Sequence, residues 1–275
     1  MIKFIKRSLL ALLGLFALAY IAAAIMLATK DDAIDVLAGQ PASYSTVAIF
    51  GASGTAGDGI LKAALANPEI ETIHVITRRR TPRIDEGVAS GKVQMTTHMD
   101  YLDYAAIHEQ IAEVDTVYWA IGISSIGVDE ETYGRIHVDF PARFVSEWVE
   151  VSDKDHLAFH FISSSDISED SNTMWIREKI RAEKTLFGFA EGSRLEVIAY
   201  RPDYIGPTEE ESHIGQELLY GFFAPVGAAV RAEQIGKSMF EVTARGDEYV
   251  NGAKIGTRSI LRLADAYDRR LAAGN

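Results

Sequence analysis

The chain has no cysteine among its 275 residues. This absence excludes disulfide bonds, thiolate metal ligands and cysteine nucleophiles, so the chain is compatible with either a reducing or an oxidising compartment. Only seven prolines occur, and we find no internal repeat or low-complexity tract. A composition of 48% hydrophobic and 24% charged residues excludes disorder and predicts one sizeable hydrophobic core in one or two domains.

Acidic residues are missing from the first 30 positions, which carry four bases. Residues 31–275 hold the other 23 bases and all 39 acids, which gives them a net charge of −16. A domain this acidic repels a phosphate backbone over most of its surface. We therefore expect no nucleic-acid partner.

Residues 9–28 are twenty consecutive residues without a charge or a proline. A helix rises about 1.5 Å per residue, so this run is long enough to cross the hydrocarbon layer of a membrane. We predict a single-pass amino-terminal anchor over residues 1–29 and a short linker over 30–44. A cleaved signal peptide stays open as the alternative, because small residues at 17–19 and 22–24 fit cleavage sites, although signal sequences usually have a shorter apolar region of about 7–15 residues.

Beyond residue 45, β-branched apolar segments alternate with segments of helical composition. The predicted strands are Thr46–Gly51, Thr72–Thr77, Val93–His98, Thr116–Ile121, Leu157–Ser163 and Leu195–Tyr200. Repeated strand and helix units joined by short turns predict a doubly wound α/β fold, in which helices cover both faces of a parallel sheet. The pattern changes after residue 202, and we predict a smaller, helical substrate region over 203–275. Its aromatic residues Tyr220, Phe222 and Phe223 are expected to pack this region, with a role in lining a substrate pocket as the alternative.

A glycine-spaced motif lies between the first predicted strand and the first helix. Gly51 permits a tight turn, Gly54 lets the backbone approach a pyrophosphate, and Gly57 allows close packing of helix against sheet. The residues between them, which open the helix and offer its free N–H groups to an anion, are Ser53, Thr55 and Ala56. Placement directly after a strand favours dinucleotide binding over the alternative of a simple turn.

Three arginines follow the second predicted strand, where a protein that prefers NAD carries an acid for the ribose 2′-hydroxyl. Arg78 and Arg79 are instead suited to grip a 2′-phosphate through forked hydrogen bonds. A solvated basic loop is the alternative. In a domain of such negative charge, we interpret these arginines as a preference for NADP.

The motifs after successive strands also carry a family resemblance. They are GASGTAG after the first strand, TRR after the second, His98-Met-Asp100 after the third, Ala120-Ile-Gly122 after the fourth and Ser163-Ser-Ser165 after the fifth, with Val138-Asp139 and Arg201-Pro202 further along. In this combination the chain resembles an atypical short-chain dehydrogenase/reductase, with the Tat-interacting-protein-like oxidoreductase branch as the nearest likeness. The resemblance covers about residues 45–272 and implies an NAD(P)-binding Rossmann domain.

The resemblance also implies roles for single residues. Asp100 is expected near the adenine, Ala120 and Gly122 beside the ribose and nicotinamide, and Ser164 or its neighbours near a substrate carbonyl. Lys179 matches the family lysine, which binds the ribose and lowers the pKa of a tyrosine four residues earlier.

That catalytic tyrosine is replaced here by Trp175, four residues before Lys179. Spacing of i and i+4 places both side chains on one helix face. An indole N–H donates hydrogen bonds but is not an acid near neutral pH. Proton delivery through Lys179 and Ser164 therefore stays a hypothesis, and so do the simpler interpretations of Lys179 as a solvated helix lysine and of Trp175 as a core residue.

Two functions remain open at this point: a membrane-anchored NADP(H)-dependent oxidoreductase, or a non-catalytic NADP(H)-binding sensor or scaffold. No metal site is expected, because His156 and His160 are separated along a predicted strand by about 13 Å. The basic flank at 3–7 predicts a cytoplasmic amino terminus and an external domain, whereas NADP(H) is a cytoplasmic pool, so the side of the membrane stays open. The sequence names neither the small-molecule substrate nor any protein partner.

Overall fold

The computed structural model describes residues 2–29, 44–165, 167–246 and 249–274. The predicted linker at 30–44 lies outside the described residues except for its last position. The strands are β1 (Thr46–Phe50), β2 (Thr72–Thr77), β3 (Val93–Thr97), β4 (Thr116–Trp119), β5 (Leu157–Ile162), β6 (Leu195–Arg201), β7 (Tyr204–Gly206), β8 (Ala229–Arg231) and β9 (Lys254–Gly256). Seven of them form one parallel sheet in the order β3-β2-β1-β4-β5-β6-β9, and β7 pairs with β8.

Ten α-helices surround the strands in the described part of the chain. They are α1 (Ile2–Ala28), α2 (Thr55–Ala66), α3 (Pro82–Ala89), α4 (His108–Ala112), α5 (Glu130–Gly134), α6 (Phe140–Val151), α7 (Met174–Ala190), α8 (Ile214–Phe223), α9 (Ala232–Ala244) and α10 (Thr257–Gly274). Helices α2, α9 and α10 cover one face of the sheet, and α4, α6 and α7 cover the other. The predicted doubly wound fold is confirmed.

Alternation along the central strand shows why both faces need helices. Val47 and Ile49 of β1 belong to the core under α2 and α9, whereas Ala48 and Phe50 belong to the core under α6. Successive side chains of a strand point to opposite faces, so an unbroken apolar strand is stable only when both faces are covered.

The strand order reverses beside β1, which pairs with β2 on one side and β4 on the other. The connections after β1 and β4 therefore separate at the carboxyl end of the sheet and leave a crevice between them. Open parallel sheets bind ligands at this point of reversal.

Four short elements do not follow from the sequence pattern: α3, β7, β8 and β9. Each of the three strands has only three residues, which is too short to show a period of two. β9 extends the sheet beyond the six predicted strands by pairing with β6. The helix predicted near residues 132–149 is continuous but contains a π-helical turn at Arg135–Asp139, between α5 and α6.

α1 is the one candidate membrane span within the described residues. Its segment Lys6–Met26 has a mean hydropathy of 2.5, and none of that window is buried inside the protein. By length and composition the helix can cross a membrane, and a signal sequence passes the same test.

Glycines allow α2 and α9 to pack at close range. A Cβ atom at Gly59 would overlap the backbone of Ala232, and one at Gly236 would lie 2.8 Å from the Cα atom of Ile60. The backbones of the two helices therefore approach each other where no side chain intervenes, which holds α9 against the first helix after the glycine motif.

We expect Gly59→Ala to lower the free energy of unfolding by about 1–3 kcal/mol, the usual cost of overpacking a core. Gly188 in α7 is the matched control, because a Cβ atom there would meet nothing within 4 Å. Gly188→Ala should raise stability by roughly 0.5–1 kcal/mol through helix propensity. Urea titration of both purified variants measures the difference. Equal effects of the two substitutions would contradict the packing explanation.

Candidate cofactor and active site

Gly51 lies where the end of β1 meets the residues after β4. Its φ angle is +79°, and a Cβ atom there would lie 2.7 Å from the carbonyl carbon of Ala120. A side chain at this position is excluded both by backbone conformation and by space. The N–H of Ala120 donates to the Phe50 carbonyl at 2.9 Å, so the two connections diverge immediately beyond this contact.

Gly54 caps helix α2, which begins at Thr55, and Gly54 has no side chain to bond the first amides. A Cβ atom at Gly57 would overlap the carbonyl group of Gly51. The opening turn, which includes Ser53, Thr55 and Ala56, therefore presents backbone N–H groups at the positive end of the helix dipole.

An acid in this first turn is neutralised by neighbours. Asp58 accepts a hydrogen bond from Arg83 Nε at 2.7 Å and another from Thr208 Oγ1 at 3.0 Å. The ion pair with Arg83 offsets a negative charge that would otherwise oppose an anion at the helix terminus.

A cleft of about 470 Å³ opens between the glycine loop and the ends of β2 and β4. It is lined by the residues Gly51, Ser53, Gly54, Thr77, Arg78, Arg79, Met99, Tyr101, Ala120, Ile121 and Gly122. The structure thus brings two of the three consecutive arginines, the glycine loop and the residues after β4 to one cavity at the point of strand reversal.

The three arginines have different surroundings. Arg79 donates through Nη2 to the Ser53 carbonyl at 2.8 Å, and the Arg78 guanidinium lies 6.0 Å from the centre of the Tyr101 ring. Arg80 instead forms an ion pair with Asp85 at 2.6 Å. Arg78 and Arg79 are therefore the two that can reach a phosphate in the cleft.

Asp100 is exposed on the turn after β3, and its carboxylate accepts from the backbone N–H of Leu102 at 2.9 Å. Its neighbours Met99 and Tyr101 line the cleft, whereas Asp100 does not. The expected role of Asp100 near an adenine stays a prediction.

Lys179 is buried, with 7% of its surface exposed. Its Nζ donates to the Ile162 carbonyl at the end of β5 at 3.2 Å and lies 3.1 Å from Nδ1 of His137. Burial lowers the pKa of Lys179 to about 8, and the nearby Glu183 carboxylate opposes that shift. A solvated helix lysine has none of these properties, so that interpretation is wrong.

His137 was not identified from the sequence and lies in the π-helical turn. Its Nε2 is 3.1 Å from the Ile123 carbonyl and 3.2 Å from the Ile123 N–H. Burial, together with the Lys179 charge, lowers the pKa of His137 to about 3, so the ring is neutral and accepts from the lysine ammonium at Nδ1. Gly122 permits this position, because a Cβ atom there would lie 2.8 Å from the ring.

The three serines after β5 differ in what their hydroxyls contact. Ser163 is buried and donates to Glu183 at 2.6 Å, and Arg201 Nε donates to the same oxygen at 2.8 Å. Ser164 is half-buried. Ser165 is half-buried as well. Ser163 thus belongs to a buried ionic network, and contact of Ser164 with a substrate stays a prediction.

Trp175 lies in the first turn of α7, half-buried and one helical turn before Lys179. Tyr133 is another aromatic near the lysine, since its ring centre is 4.2 Å from that of His137. Burial and the Glu178 carboxylate raise the pKa of Tyr133 to about 12. Tyr133 is therefore a weaker acid than an ordinary tyrosine.

The residues present fit a dinucleotide. The glycine loop leaves a cradle that any Cβ atom at Gly51 would fill, and the helix terminus and two arginines supply positive charge. Lys179 contacts His137, whose ring packs against Gly122 of the cleft. Within the described ranges, no three His, Asp or Glu side chains are grouped to hold a metal ion.

No protein-family model matches the sequence, and no curated protein matches it. Solved structures match its fold. A short-chain dehydrogenase/reductase from Serratia marcescens superposes with a TM-score of 0.61 at 16% identity, over 80% of this chain and 99% of that one. A 3-oxoacyl-(acyl-carrier protein) reductase from Brucella melitensis in complex with NAD gives 0.61 at 17% identity, over 80% and 98%.

A UDP-glucuronic acid 4-epimerase from Bacillus cereus in complex with NAD gives a TM-score of 0.60 at 13% identity, over 77% of this chain and 76% of that one. These similarities show that the chain has the fold of the short-chain dehydrogenases/reductases. The Tat-interacting-protein-like branch stays a prediction.

The neutral state of His137 predicts a pH dependence of stability. Its pKa is about 3 in the fold, whereas an ordinary histidine has a pKa of 6.5, so between these limits the unfolded chain binds more protons and stability rises with pH. We expect His137→Asn to reduce this slope by up to about 1.4 kcal/mol per pH unit. Urea titrations from pH 4 to 6.5 measure it, with the exposed His156→Asn as control. An unchanged slope in His137→Asn would show that the ring is not held neutral.

Proposed function

We propose that the chain is a membrane-anchored, NADP(H)-dependent oxidoreductase of the short-chain dehydrogenase/reductase type that acts on a small molecule. The observation that carries the proposal is the burial of Lys179 at the carboxyl end of β5, where His137 links it to the segment after β4 whose Gly122 lines the cleft. Burial of a lysine lowers the stability of the fold. Because the glycine loop lies at the same edge of the sheet, we assign Lys179 a role in binding the cofactor.

The chemistry assigned to the chain is reduction or oxidation at a carbonyl carbon. When bound, NADP(H) supplies or accepts the hydride. Ser164 orients the carbonyl oxygen, and the Lys179 ammonium holds the proton that balances the reduction. Its pKa of about 8 lies closer to neutrality than that of an ordinary lysine, which suits a general acid working near pH 7.

His137 acts in this proposal as a positioning residue for Lys179. The imidazole accepts at Nδ1 and donates from Nε2 to the Ile123 carbonyl, which links the lysine to the segment after β4. The imidazole thereby fixes the position of the ammonium at the carboxyl end of β5.

The preference for NADP over NAD rests on Arg78 and Arg79. Two of the solved structures with this fold have NAD in their names, which concerns those proteins. In this chain no acid occupies the end of β2, and the two guanidinium groups border the cleft where a 2′-phosphate would lie.

A second function, a non-catalytic NADP(H)-binding sensor or scaffold, is favoured by one residue. Trp175 cannot donate a proton near neutral pH. Its bulk, one turn from Lys179, suits a closed state in which the indole covers a bound nicotinamide. A measurement of whether the protein oxidises NADPH with a carbonyl substrate decides between the two functions.

Residues 9–28 are the proposed anchor. Between residues 9 and 26, the large apolar side chains of α1 are mostly exposed to solvent, so they need an apolar medium to cover them. The length of the run favours a retained helix, because signal sequences usually have a shorter apolar region of about 7–15 residues.

We expect NADPH to bind at least about tenfold tighter than NADH, a difference of about 1.4 kcal/mol, because each guanidinium can hold the 2′-phosphate by two hydrogen bonds. Replacing both Arg78 and Arg79 by Ala should abolish the difference, measured by fluorescence titration. Arg80→Ala is the matched control, since its ion pair with Asp85 keeps it out of the cleft. Equal affinities of the wild type for both nucleotides would overturn the proposed cofactor preference.

Replacing Trp175 by Tyr should restore a proton donor four residues before Lys179. General acid catalysis contributes about 10²–10⁴ in rate, so any carbonyl reductase activity should rise while NADPH affinity stays within a few fold. Trp175→Phe is the control, because it makes a similar change in volume without a hydroxyl. Ordinary turnover of about 1–10³ s⁻¹ in the wild type, with no gain in the tyrosine variant, would exclude the sensor.

The intact protein should stay in the membrane fraction through high-salt and carbonate washes, because salt weakens charge contacts but not hydrocarbon burial. Removing residues 2–30 should allow the same washes to release the protein. Immunoblotting of the membrane and soluble fractions measures retention and release, and amino-terminal sequencing identifies the first residue of the mature protein. A soluble mature protein beginning near residue 24 would instead identify the segment as a cleaved signal peptide.

A further inference from the structure

Helix α8 presents its apolar side chains outward. They are Ile214 at 83% exposure, Leu218 at 70%, Leu219 at 48% and Phe222 at 39%. At 100° per residue these positions share one face of the helix. The usual helix on a protein surface shows the opposite pattern, with its apolar stripe against the core.

The polar side chains of α8 are the ones that face the domain. Glu217 accepts two hydrogen bonds from Arg231, at 2.6 and 2.8 Å. The same guanidinium lies 3.7 Å from the centre of the Tyr220 ring. These contacts fix the rotation of the helix, so the outward position of Leu218 is built into the packing.

The predicted packing role of the three aromatics holds for two of them. Tyr220 and Phe223 are half-buried, and Phe223 lies 5.9 Å from Tyr204 between ring centres. Phe222 is exposed and contacts α1 instead, which corrects the expectation for this residue.

α1 and α8 are joined at Tyr20. Its hydroxyl donates to the Phe222 carbonyl at 2.7 Å, and the two ring centres are 4.9 Å apart. Phe16, one turn earlier, lies 6.1 Å from the same ring. The apolar face of α8 is therefore continuous with the outward side chains of the candidate membrane span.

The depth of this contact suits a membrane interface. Tyr20 comes six residues before Met26, the end of the span, which is about 9 Å along the helix axis. Helices that lie in the interfacial layer bury their apolar face about 5–10 Å into the membrane. A bilayer crossed by α1 would thus meet α8 at the depth such helices occupy.

We propose that α8 lies in the interfacial layer of the same bilayer that α1 crosses, with its outward face in contact with lipid acyl chains. This inference rests on the proposed anchor. Two helices then hold the domain in one orientation on the membrane. A lipid surface is the occupant because the α1 side chains beside Phe222 already require one, whereas a second copy of the chain would leave them exposed.

The charge around α8 specifies the kind of contact. The helix has no lysine or arginine, and three glutamates precede it at 209–211. Attraction to anionic headgroups therefore contributes nothing to the contact, and burial of apolar area drives it. Binding should be equal in zwitterionic and anionic bilayers.

The absence of native cysteine allows the test by single labels. In the full chain reconstituted into phosphatidylcholine vesicles, Leu218→Cys is labelled with an environment-sensitive fluorophore. We expect blue-shifted emission, strong quenching by lipids with a nitroxide at shallow acyl positions, and at least about threefold weaker quenching by iodide than at a solvent-exposed site. Glu150→Cys, exposed on α6 across the sheet, is the solvent control. Adding phosphatidylglycerol should change none of these values.

A third label at Leu12→Cys separates this inference from the anchor. Deep lipid quenching at residue 12 together with iodide access at 218 would overturn the proposal for α8 and leave the anchor intact. Protection of residue 218 from both iodide and lipid nitroxides would also overturn it, because protein would then cover the face. Absence of lipid quenching at both positions would remove the anchor and this inference together.

Discussion

The candidate site depends on the contact between the end of β1 and the residues that follow β4. Gly51 approaches Ala120 so closely that no side chain fits between them, and the strand order reverses at this point. Because the two connections then leave in opposite directions, they open the cleft into which the glycine loop, Arg78 and the segment up to Gly122 all face. A bulkier residue at position 51 would separate these strands and remove the geometry that every proposed binding role uses.

The chemistry proposed for the cleft depends in turn on the burial of a charge. Among the residues that the structure describes, Lys179 donates hydrogen bonds to a histidine nitrogen and a backbone carbonyl, and burial lowers its pKa to about 8. His137 stays neutral for the same reason and so accepts from the ammonium instead of repelling it. The site thus combines a lysine that gives up its proton more readily than usual with a tryptophan where the family tyrosine would be. Whether the proposed function is that of an enzyme or a sensor therefore depends on whether Lys179 can supply the proton that a tyrosine would otherwise donate.

The proposed orientation on a membrane accounts for both the acidic composition and the apolar surfaces of the chain. A net charge of −16 over residues 31–275 keeps most of the domain in water, while the apolar residues of α1 and α8 share one contact at Tyr20 and Phe222. The ion pair of Glu217 with Arg231 turns the polar side of α8 inward. A partly exposed ion pair between α8 and the domain therefore favours the rotation in which the apolar side chains of α8 face outward.

The sequence by itself determined the features that are local along the chain. Each of these features lies within one short segment. They are the glycine motif, the arginines after β2, the apolar run at 9–28, the six longer strands and the helical spacing of Trp175 and Lys179. Backbone geometry and hydropathy act over a few residues, so such patterns can be interpreted without a fold.

Only the tertiary structure decided which distant residues meet. His137 and Lys179 are 42 positions apart, and Tyr20 and Phe222 are 202 apart. β9 joins the sheet by pairing with the edge of β6. Arg79 reaches the cleft, whereas Arg80 forms an ion pair with Asp85. These contacts arise from the packing of separate elements against one another, a property that no short segment of the sequence contains.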